Sequence, residues 1–431
     1  MKTLPQEYLD RMRSYLGASY DAFLKSYDEP PKKGLRFNTD KIRTETMERL
    51  ISEWHLRKVP WCGTGYYYEE TGPFGVRPGR SPYHDAGLYY IQEPSAMLPG
   101  ALAAPVGTDA VLDLCAAPGG KTTQMALSAG FVLSNEYVRK RAQILSSNVE
   151  RMGLSNVIVS STSTPVLSGI FPEFFDLVLV DAPCSGEGMM RRDDIAVSEW
   201  STAHVDLCAQ RQEKILEDAY LMLRRGGRLV YSTCTFEPSE NGDQVRALLD
   251  RHGDLTLLSE ETLYPHLSEG EGHFCAVIQK SGEKDPVSPG LKEALERLRR
   301  GRIPILRAGV EDGSWIQGKH KGEKRYEPSH AQALALCHPE ETPWTERFDS
   351  SEQGFFSDEV LNLRSEEAAI SYLRGESLTL DSLPEGTYVL SRGSGKAGYL
   401  PVCYDGYPLG WGKLVGRTVK NHYPKGLRRM N

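Results

Sequence analysis

Between residues 85 and 280, short apolar segments alternate with stretches of helical character, and this alternation constrains the fold more than any other feature of the chain. The apolar segments are rich in Val, Leu and Ile and lie at 111–114, 131–134, 157–159, 177–180, 228–231 and 275–278. Nearly continuous apolar strands separated by helices are typical of a parallel sheet that is covered on both faces. The pattern therefore predicts a doubly wound, Rossmann-like α/β domain.

The segments on either side of this domain predict a small α/β extension before it and a β-rich module after it. Residues 8–16 carry apolar side chains at helical spacing, and a basic, Pro-rich segment follows at 30–38. After 280, a linker-like segment leads into a stretch with nine Lys or Arg at 297–325 and then an acidic stretch at 339–359. We predict four units, at 1–84, 85–282, 283–375 and 376–431.

Composition excludes several classes of protein. The 431 residues contain no run of about 18 apolar residues, and the N-terminal segment lacks the basic and apolar regions of a signal peptide. The eight cysteines form no CxxC pair, which argues against a zinc site and a disulfide framework, so no metal is expected. We therefore predict a cytoplasmic protein with reduced thiols and no membrane partner. The net charge of −7 neither indicates nor excludes a nucleic-acid partner.

A glycine loop follows the first strand of the α/β domain, from Asp113 to Thr123, and a helical stretch comes after it. Small residues allow a ligand to approach the backbone, and a helix N-terminus offers free N–H groups. The loop matches neither GxGxxG nor GxxxxGK[ST], which argues against NAD and P-loop nucleotides. The next strand ends at Glu136, where such folds bind the hydroxyls of a ribose. The alternative for Glu136 is a stabilising position at a helix N-terminus.

Two cysteines follow strands of the predicted sheet, at the edge where ligands bind in open α/β folds. Cys184 lies in the sequence from Asp181 to Gly188, and Cys234 lies in Ser-Thr-Cys-Thr at 232–235. Position alone leaves catalysis and simple packing equally open for this pair. We interpret the other cysteines as packing residues, Cys115 within the glycine loop and Cys62, Cys208, Cys275, Cys337 and Cys403 elsewhere.

Four motifs together resemble the RNA cytosine-C5 methyltransferases of the Nol/Nop/Sun family. They are 87–95, Asp113–Thr123, Asp181–Gly188 and Ser232–Thr235, in the order and spacing of that family. The Gly-Glu-Gly-Met-Met-Arg-Arg-Asp sequence after Ser185 and the extension past 280 are most similar to the RsmF-type branch, which acts on 16S ribosomal RNA. The resemblance implies a Rossmann-like methyltransferase core, a small N-terminal α/β extension and a C-terminal, β-rich, PUA-like RNA-binding module.

The resemblance also implies S-adenosylmethionine as the cofactor. The residues that it places around the cofactor are Cys115, Ala116, Ala117, Pro118, Gly119, Gly120, Lys121, Glu136, Ser163 and Asp181. At Ser163 the family usually has an Asp near the adenine. A hydroxyl is a neutral acceptor, so weaker binding is predicted there.

The chemistry implied by the resemblance uses both thiols. Addition of the Cys234 thiolate to C6 of cytosine makes C5 nucleophilic, and Cys184 assists loss of the C5 proton and release of the enzyme. Asp181 resembles the residue that holds the N3/N4 edge of the base, where protonation at N3 would make the ring a better electron acceptor. A thiol with a pKa of about 8.5 costs about 2 kcal/mol to ionise at neutral pH, and Lys121 is a candidate cation to lower that cost.

RNA is the expected partner, because two basic stretches also carry aromatic side chains. They are 297–325 with Trp315 and Tyr326, and the acid-free tail 411–431 with Trp411 and Tyr423. We expect a monomer that acts on 16S ribosomal RNA or the small subunit. The alternatives are a tRNA cytosine-C5 methyltransferase and a catalytically idle, RNA-binding ribosome-assembly protein, which would need neither thiol. A DNA-type enzyme, whose nucleophile follows the fourth strand in a Pro-Cys setting, does not explain the Thr-Cys motif.

Overall fold

The computed structural model describes residues 4–69, 77–308, 319–320, 326–336, 353, 355–391 and 396–429. Its helices are α1 (Gln6–Leu16), α2 (Tyr20–Ser26), α3 (Thr44–Leu50), α4 (Pro82–Asp85), α5 (Leu98–Ala103), α6 (Gly120–Met125), α7 (Arg139–Met152), α8 (Thr164–Ile170), α9 (Asp194–Glu199), α10 (Thr202–Met222), α11 (Gly242–Arg251), α12 (Leu291–Arg300), α13 (His330–Leu334) and α14 (Glu366–Leu373). None of these described helices combines the length and the apolar character that a bilayer crossing requires.

The strands form four sheets. They are β1 (Gly34–Phe37), β2 (Arg57–Lys58), β3 (Gly65–Tyr67), β4 (Tyr89–Ile91), β5 (Ala110–Asp113), β6 (Phe131–Asn135), β7 (Val157–Ser160), β8 (Phe175–Asp181), β9 (Leu223–Thr233), β10 (Leu255–Leu263), β11 (His273–Lys280), β12 (Ile305–Ala308), β13 (Lys319–His320), β14 (Tyr326–Glu327), β15 (Leu361–Leu363), β16 (Leu378–Thr379), β17 (Tyr388–Leu390), β18 (Gly398–Tyr404), β19 (Tyr407–Val415) and β20 (Thr418–Asn421).

The central sheet has eight strands in the order β10-β11-β9-β8-β5-β6-β7-β12. Strands β7, β6, β5, β8 and β9 run parallel, while β11, β10 and β12 are antiparallel to their neighbours. Alternate side chains of β8 lie in two different apolar clusters, Val178 and Val180 in one and Leu177 and Leu179 in the other. The sheet is therefore covered on both faces, and the predicted α/β core is confirmed, although the sheet is mixed rather than fully parallel.

The core extends past the boundary predicted at 282. Helix α12 buries Leu291, Leu295 and Leu298 in the apolar cluster of the central sheet, and β12 pairs with the edge strand β7. On the outer side of α12, Arg300 is exposed and lies 3.5 Å from Glu296 within the same helix. This part of the basic stretch is thus a solvated helix face.

The N-terminal extension is a four-stranded sheet in the order β2-β3-β1-β4 that packs against the core through its first helices. Strand β4 lies past the boundary predicted at 84 and pairs with β1. Helix α1 buries Tyr8 and Met12 in one cluster with Trp200 and Phe236 of the core. The extension is therefore anchored beside the loops that leave β8 and β9.

The C-terminal module is a six-stranded sheet in the order β16-β20-β19-β18-β15-β17. It begins with β15, before the boundary predicted at 376, and the pair β15–β18 is parallel while the other pairs are antiparallel. Three of the aromatic side chains predicted to stack on RNA are buried: Tyr326 is 4% exposed, Trp411 1% and Tyr423 5%. The prediction for these three is wrong, because their rings complete apolar clusters. The fourth, Trp315, lies outside the described residues.

Candidate active site

A cavity of about 290 Å³ lies at the carboxyl ends of β5, β8 and β9. The chain order of the parallel strands reverses beside β5, and ligands of open α/β sheets bind at such a point. Side chains of the core and of the N-terminal extension line it together. They include Tyr90, Gln92, Glu93, Asp113, Cys115, Ala116, Ala117, Pro118, Gly120, Lys121, Asp181, Cys234, Glu271 and His273.

The glycine loop closes one side of the cavity. Gly119 precedes α6 with a φ of +110°, a backbone conformation that glycine adopts without strain. A Cβ atom at Gly120 would lie 3.0 Å from Gln92 Nε2, so the loop is packed as closely as a glycine permits. The loop therefore presents backbone and small side chains to the cavity.

Arg36, on strand β1 of the N-terminal extension, forms hydrogen bonds with the end of this loop. The side chain is 0% exposed and donates from Nη2 to Gly120 O at 2.9 Å and to Thr123 Oγ1 at 2.7 Å. Burial lowers the pKa of Arg36 to about 10, so the guanidinium stays charged at neutral pH. No sequence motif indicated this residue, and a lone Arg within the apolar strand 34–37 was the available signal.

Asp113, at the end of β5, is a second residue that the sequence analysis did not assign individually. It is 0% exposed and accepts a hydrogen bond of 2.6 Å from Thr122 Oγ1. Its other oxygen, Oδ1, is buried and has no partner among the described residues. Burial raises the pKa of Asp113 to about 7.

Asp181 is surrounded by donors. Lys121 Nζ lies 2.6 Å from its Oδ2, and Ser232 Oγ donates to its Oδ1 at 2.8 Å. His273 Nε2 lies 3.4 Å from Oδ1. Burial alone would raise the pKa of Asp181, but Lys121 and His273 hold it well below its usual range. Asp181 is therefore a carboxylate, and in this state it accepts hydrogen bonds and does not supply a proton.

The two predicted thiols meet at the cavity. Cys184 Sγ and Cys234 Sγ are 3.3 Å apart, and Cys234 lines the cavity while Cys184 lies behind it. The hydrogen bond with Cys234 and burial raise the pKa of Cys184. Burial lowers the pKa of Lys121, whereas Asp181, Asp113 and Cys234 raise it and keep the ammonium charged. Lys121 therefore lines the same cavity as Cys234.

Two carboxyl groups form hydrogen bonds between the two loops that carry the cysteines. Glu187, after the first cysteine, accepts a hydrogen bond from Phe236 N at 2.9 Å. Glu240, after the second, accepts one from Ser185 N at 3.0 Å. Each carboxyl group thus comes from one loop and binds the backbone of the other, which fixes the separation of the thiols.

Three of the predicted cofactor residues, Gly119, Glu136 and Ser163, lie outside the cavity lining. Glu136 is 4% exposed, accepts a hydrogen bond from Val138 N at 2.9 Å and lies 3.3 Å from Arg141 Nη1. These contacts match the alternative of a stabilising position at the start of α7. Ser163 directly precedes α8, and its hydroxyl does not cap that helix.

The strand order, the antiparallel β11 beside β9 and the glycine loop after the central strand define the class of S-adenosylmethionine-dependent methyltransferases. The residues fit such a cofactor, because a Cβ atom at Gly120 would press on Gln92 and because Asp113, whose Oδ1 has no partner among the described residues, lines the same cavity. Among the described residues, no cluster of His, Cys, Asp and Glu is suited to hold a metal ion.

Comparison with known proteins narrows this class. The chain matches the family models of the 16S rRNA methyltransferase RsmB/F at 101–287, of the N-terminal domain of 16S rRNA methyltransferase RsmF at 4–94 and of the methyltransferase RsmF PUA domain at 362–429. The ribosomal RNA small subunit methyltransferase F of Klebsiella pneumoniae (strain 342) is 33% identical over 99% of this chain and 96% of its own. The protein of that name from Vibrio parahaemolyticus is 30% identical over 99% of this chain and 98% of its own length.

Solved structures agree on the fold. A methyltransferase homolog protein from Pyrococcus horikoshii has a TM-score of 0.57 at 29% identity, covering 64% of this chain and 95% of its own. The NSun6 of the same organism, solved with SFG, has a TM-score of 0.56 at 19% identity, covering 65% and 99%. The chain belongs to the RsmF family of 16S rRNA methyltransferases. The resemblance seen in the motifs, the fold class and the dependence on S-adenosylmethionine are confirmed.

Proposed function

We propose that this enzyme methylates C5 of a cytosine in 16S ribosomal RNA through a covalent adduct with Cys234. The observation that carries the proposal is the pair of thiols 3.3 Å apart at the cavity that Lys121 and Asp181 also line. A packing role would explain two half-buried thiols, but it would not explain a carboxylate and an ammonium that stay charged at the same cavity.

The side chains then have separate roles in the reaction. Cys234 Sγ forms a bond to C6 while the C5=C6 electron pair becomes available at C5, and Lys121 stabilises the thiolate. S-adenosylmethionine supplies the methyl group to C5. Asp181 accepts a hydrogen bond from the base edge and orients it. Cys184 assists loss of the C5 proton to water, the electrons of the C5–H bond re-form the C5=C6 double bond, and the Cys234–C6 bond breaks so that Cys234 leaves as the thiolate.

The cofactor would be held by the glycine loop from Cys115 to Lys121 together with Asp181, Glu136 and Ser163. Small residues and free N–H groups at the start of α6 support this assignment. Because the target base must leave its stack to reach a cavity of this depth, we propose that the enzyme acts on a flipped or unpaired cytosine.

Different units of the chain are proposed to carry out catalysis and RNA binding. We propose that the core follows β4 and runs to 308, that the extension before it and the module from 361 onward bind RNA, and that the enzyme acts as a monomer in the cytoplasm. The support for RNA binding is the acid-free tail with six Lys or Arg in residues 411–431.

Substitution of each thiol should have a different effect on the covalent adduct, and this difference tests the mechanism. Cys234→Ala removes the nucleophile, so we expect neither methylated RNA nor a covalent adduct. Cys184→Ala leaves attack and methyl transfer intact but impairs release, so an RNA–protein adduct that survives denaturing electrophoresis should accumulate. Mapping of 5-methylcytidine in 16S ribosomal RNA with and without the enzyme identifies the target nucleotide.

Cys275→Ala is the matched control, because Cys275 is buried in the core outside the cavity. A packing role for Cys184 or Cys234 predicts the result expected for this control, namely a loss of stability of about 1–3 kcal/mol with no adduct. If the adduct forms with Cys234→Ala instead, the roles of the two thiols are exchanged. Full turnover in both variants would refute the catalytic assignment and favour the idle RNA-binding alternative.

A further inference from the structure

His273 is the first residue of β11, and it lines the cavity. The residue is 3% exposed. Its Nε2 lies 3.4 Å from Asp181 Oδ1, a long and poorly aligned contact, and it hydrogen-bonds to no other described residue. A buried nitrogen with so weak a partner is costly unless a ligand satisfies it, so its place beside the thiols points to the substrate.

The backbone fixes this imidazole in position. Gly272 has a φ of +126°, and a Cβ atom there would lie 2.3 Å from the ring of Phe236, so the turn before His273 is tightly packed. On the other side, Phe274 pairs with Thr233 of β9. The imidazole therefore stands beside the strand end that carries Cys234.

The charged groups around the imidazole determine its protonation. Burial and the Lys121 ammonium lower the pKa of His273, while Asp181 and Glu93 raise it less, so the ring is neutral at neutral pH. A neutral imidazole has one N–H donor and one acceptor. The Asp181 carboxylate at 3.4 Å favours the tautomer with the proton on Nε2.

We infer that His273 reads the target base together with Asp181 and thereby selects cytosine over uracil, an inference that rests on the proposed function. The Asp181 carboxylate accepts from the N4 amino group of cytosine, and Nε2–H of His273 donates to N3. Uracil carries a carbonyl oxygen and an N–H at the same places, so an acceptor would face the carboxylate and a donor would face the imidazole. A site built of such paired groups rejects the wrong base strongly.

Two substitutions separate hydrogen bonding from shape. His273→Phe keeps the size of the ring and removes the donor, whereas His273→Gln carries an amide N–H at the reach of Nε2. On an RNA hairpin that contains the mapped cytosine, kcat/KM of His273→Phe should fall at least tenfold and that of His273→Gln should recover most of the loss. The control is His266→Phe, because His266 packs against Phe23 and Tyr264 and does not line the cavity. This control should match the wild type.

The selectivity is measured with a second hairpin in which uracil replaces the target cytosine. Each hairpin is added, unlabelled, as an inhibitor of the methylation of a labelled cytosine hairpin, and this gives one inhibition constant for the uracil hairpin and one for the cytosine hairpin. The ratio of the uracil constant to the cytosine constant should shrink about tenfold in His273→Phe. A purely structural role would lower activity without moving the ratio and without rescue by Gln, and that result would overturn the inference. Cofactor affinity measured by calorimetry shows that each variant is folded. Failure of the wild type to methylate the cytosine hairpin would instead contradict the proposed function.

Discussion

At the scale of single residues, two aspartates in one cavity have opposite protonation behaviour. Asp181 has Lys121 Nζ at 2.6 Å, so its pKa is held low, whereas Asp113 has only the Thr122 hydroxyl and burial raises its pKa. The sequence could predict that both lie at the carboxyl ends of strands. It could not predict their protonation, because that depends on a lysine from the glycine loop and on the depth of burial.

The raised pKa of Asp113 predicts that stability falls as the pH rises. The carboxyl ionises near its ordinary pKa of about 3.9 in the unfolded chain, but at about 7 in the folded protein. Its contribution is therefore complete below the unfolded pKa and is lost as the pH rises through about 7. From about pH 5 to about pH 8 the loss is about 2.6 kcal/mol, at ~1.36 kcal/mol per pH unit over the roughly two units below the folded pKa. Denaturant unfolding should show that Asp113→Asn gains this amount over the wild type between the two pH values. A difference that does not change with pH would contradict the assignment.

Glu136 has two proposed roles that two variants distinguish. Glu136→Ala should weaken cofactor binding by roughly 1–3 kcal/mol if the carboxylate binds the ribose, because a charge-assisted hydrogen bond is lost. Glu136→Gln keeps an acceptor for Val138 N and should retain the stability of α7 while still weakening binding. Calorimetric titration and thermal unfolding of both variants separate the roles. Unchanged affinity in a folded Glu136→Ala variant would leave only the role at the helix start.

At the scale of elements, the predicted strands are those buried on both faces, and the missed ones are edge strands. Strand β8 is buried along nearly its whole length, so its sequence is a continuous apolar run. Strand β10 is exposed at most positions, and its sequence, LTLLSEETL, resembles a surface segment. Strand β12 is short and follows a basic helix. Sequence pattern reports burial, so it identified the interior of the sheet and missed both of its edges.

Arg36 links two elements from different units, and its loss should weaken cofactor binding. Arg36→Met keeps much of the buried side-chain volume but leaves Gly120 O and Thr123 Oγ1 without their donor. Calorimetry should show a dissociation constant for S-adenosylmethionine raised about tenfold or more, equivalent to about 1.4 kcal/mol. The control is Arg57→Met in the same extension, since Arg57 pairs with Glu269 at the surface. Equal effects of the two substitutions would contradict a specific role in holding the loop.

At the scale of the whole molecule, the N-terminal extension and the C-terminal module share one apolar core. Phe37 and Tyr66 of the extension lie in the same buried cluster as Leu409 of the module. Tyr83 Oη also donates to Asp405 Oδ2 at 2.7 Å. Sequence pattern could not predict a contact between residues so distant in the chain. It follows that removal of the module would expose the core of the extension, so substitution of surface charges is the cleaner test of RNA binding.

Two exposed lysines of the C-terminal tail should contribute to RNA affinity without touching the chemistry. Lys420 and Lys425 are exposed on the acid-free tail. If both contact phosphates, the double variant Lys420→Gln/Lys425→Gln should lower the slope of log affinity against log salt by roughly 1.5, at about 0.7–0.9 per phosphate contact. Filter binding of 16S ribosomal RNA over a salt series measures the slope, and cofactor affinity should not change. The control is Lys214→Gln/Lys292→Gln, which removes two exposed charges from helices α10 and α12. An unchanged slope, or the same change in the control, would show that the tail does not bind RNA through these charges.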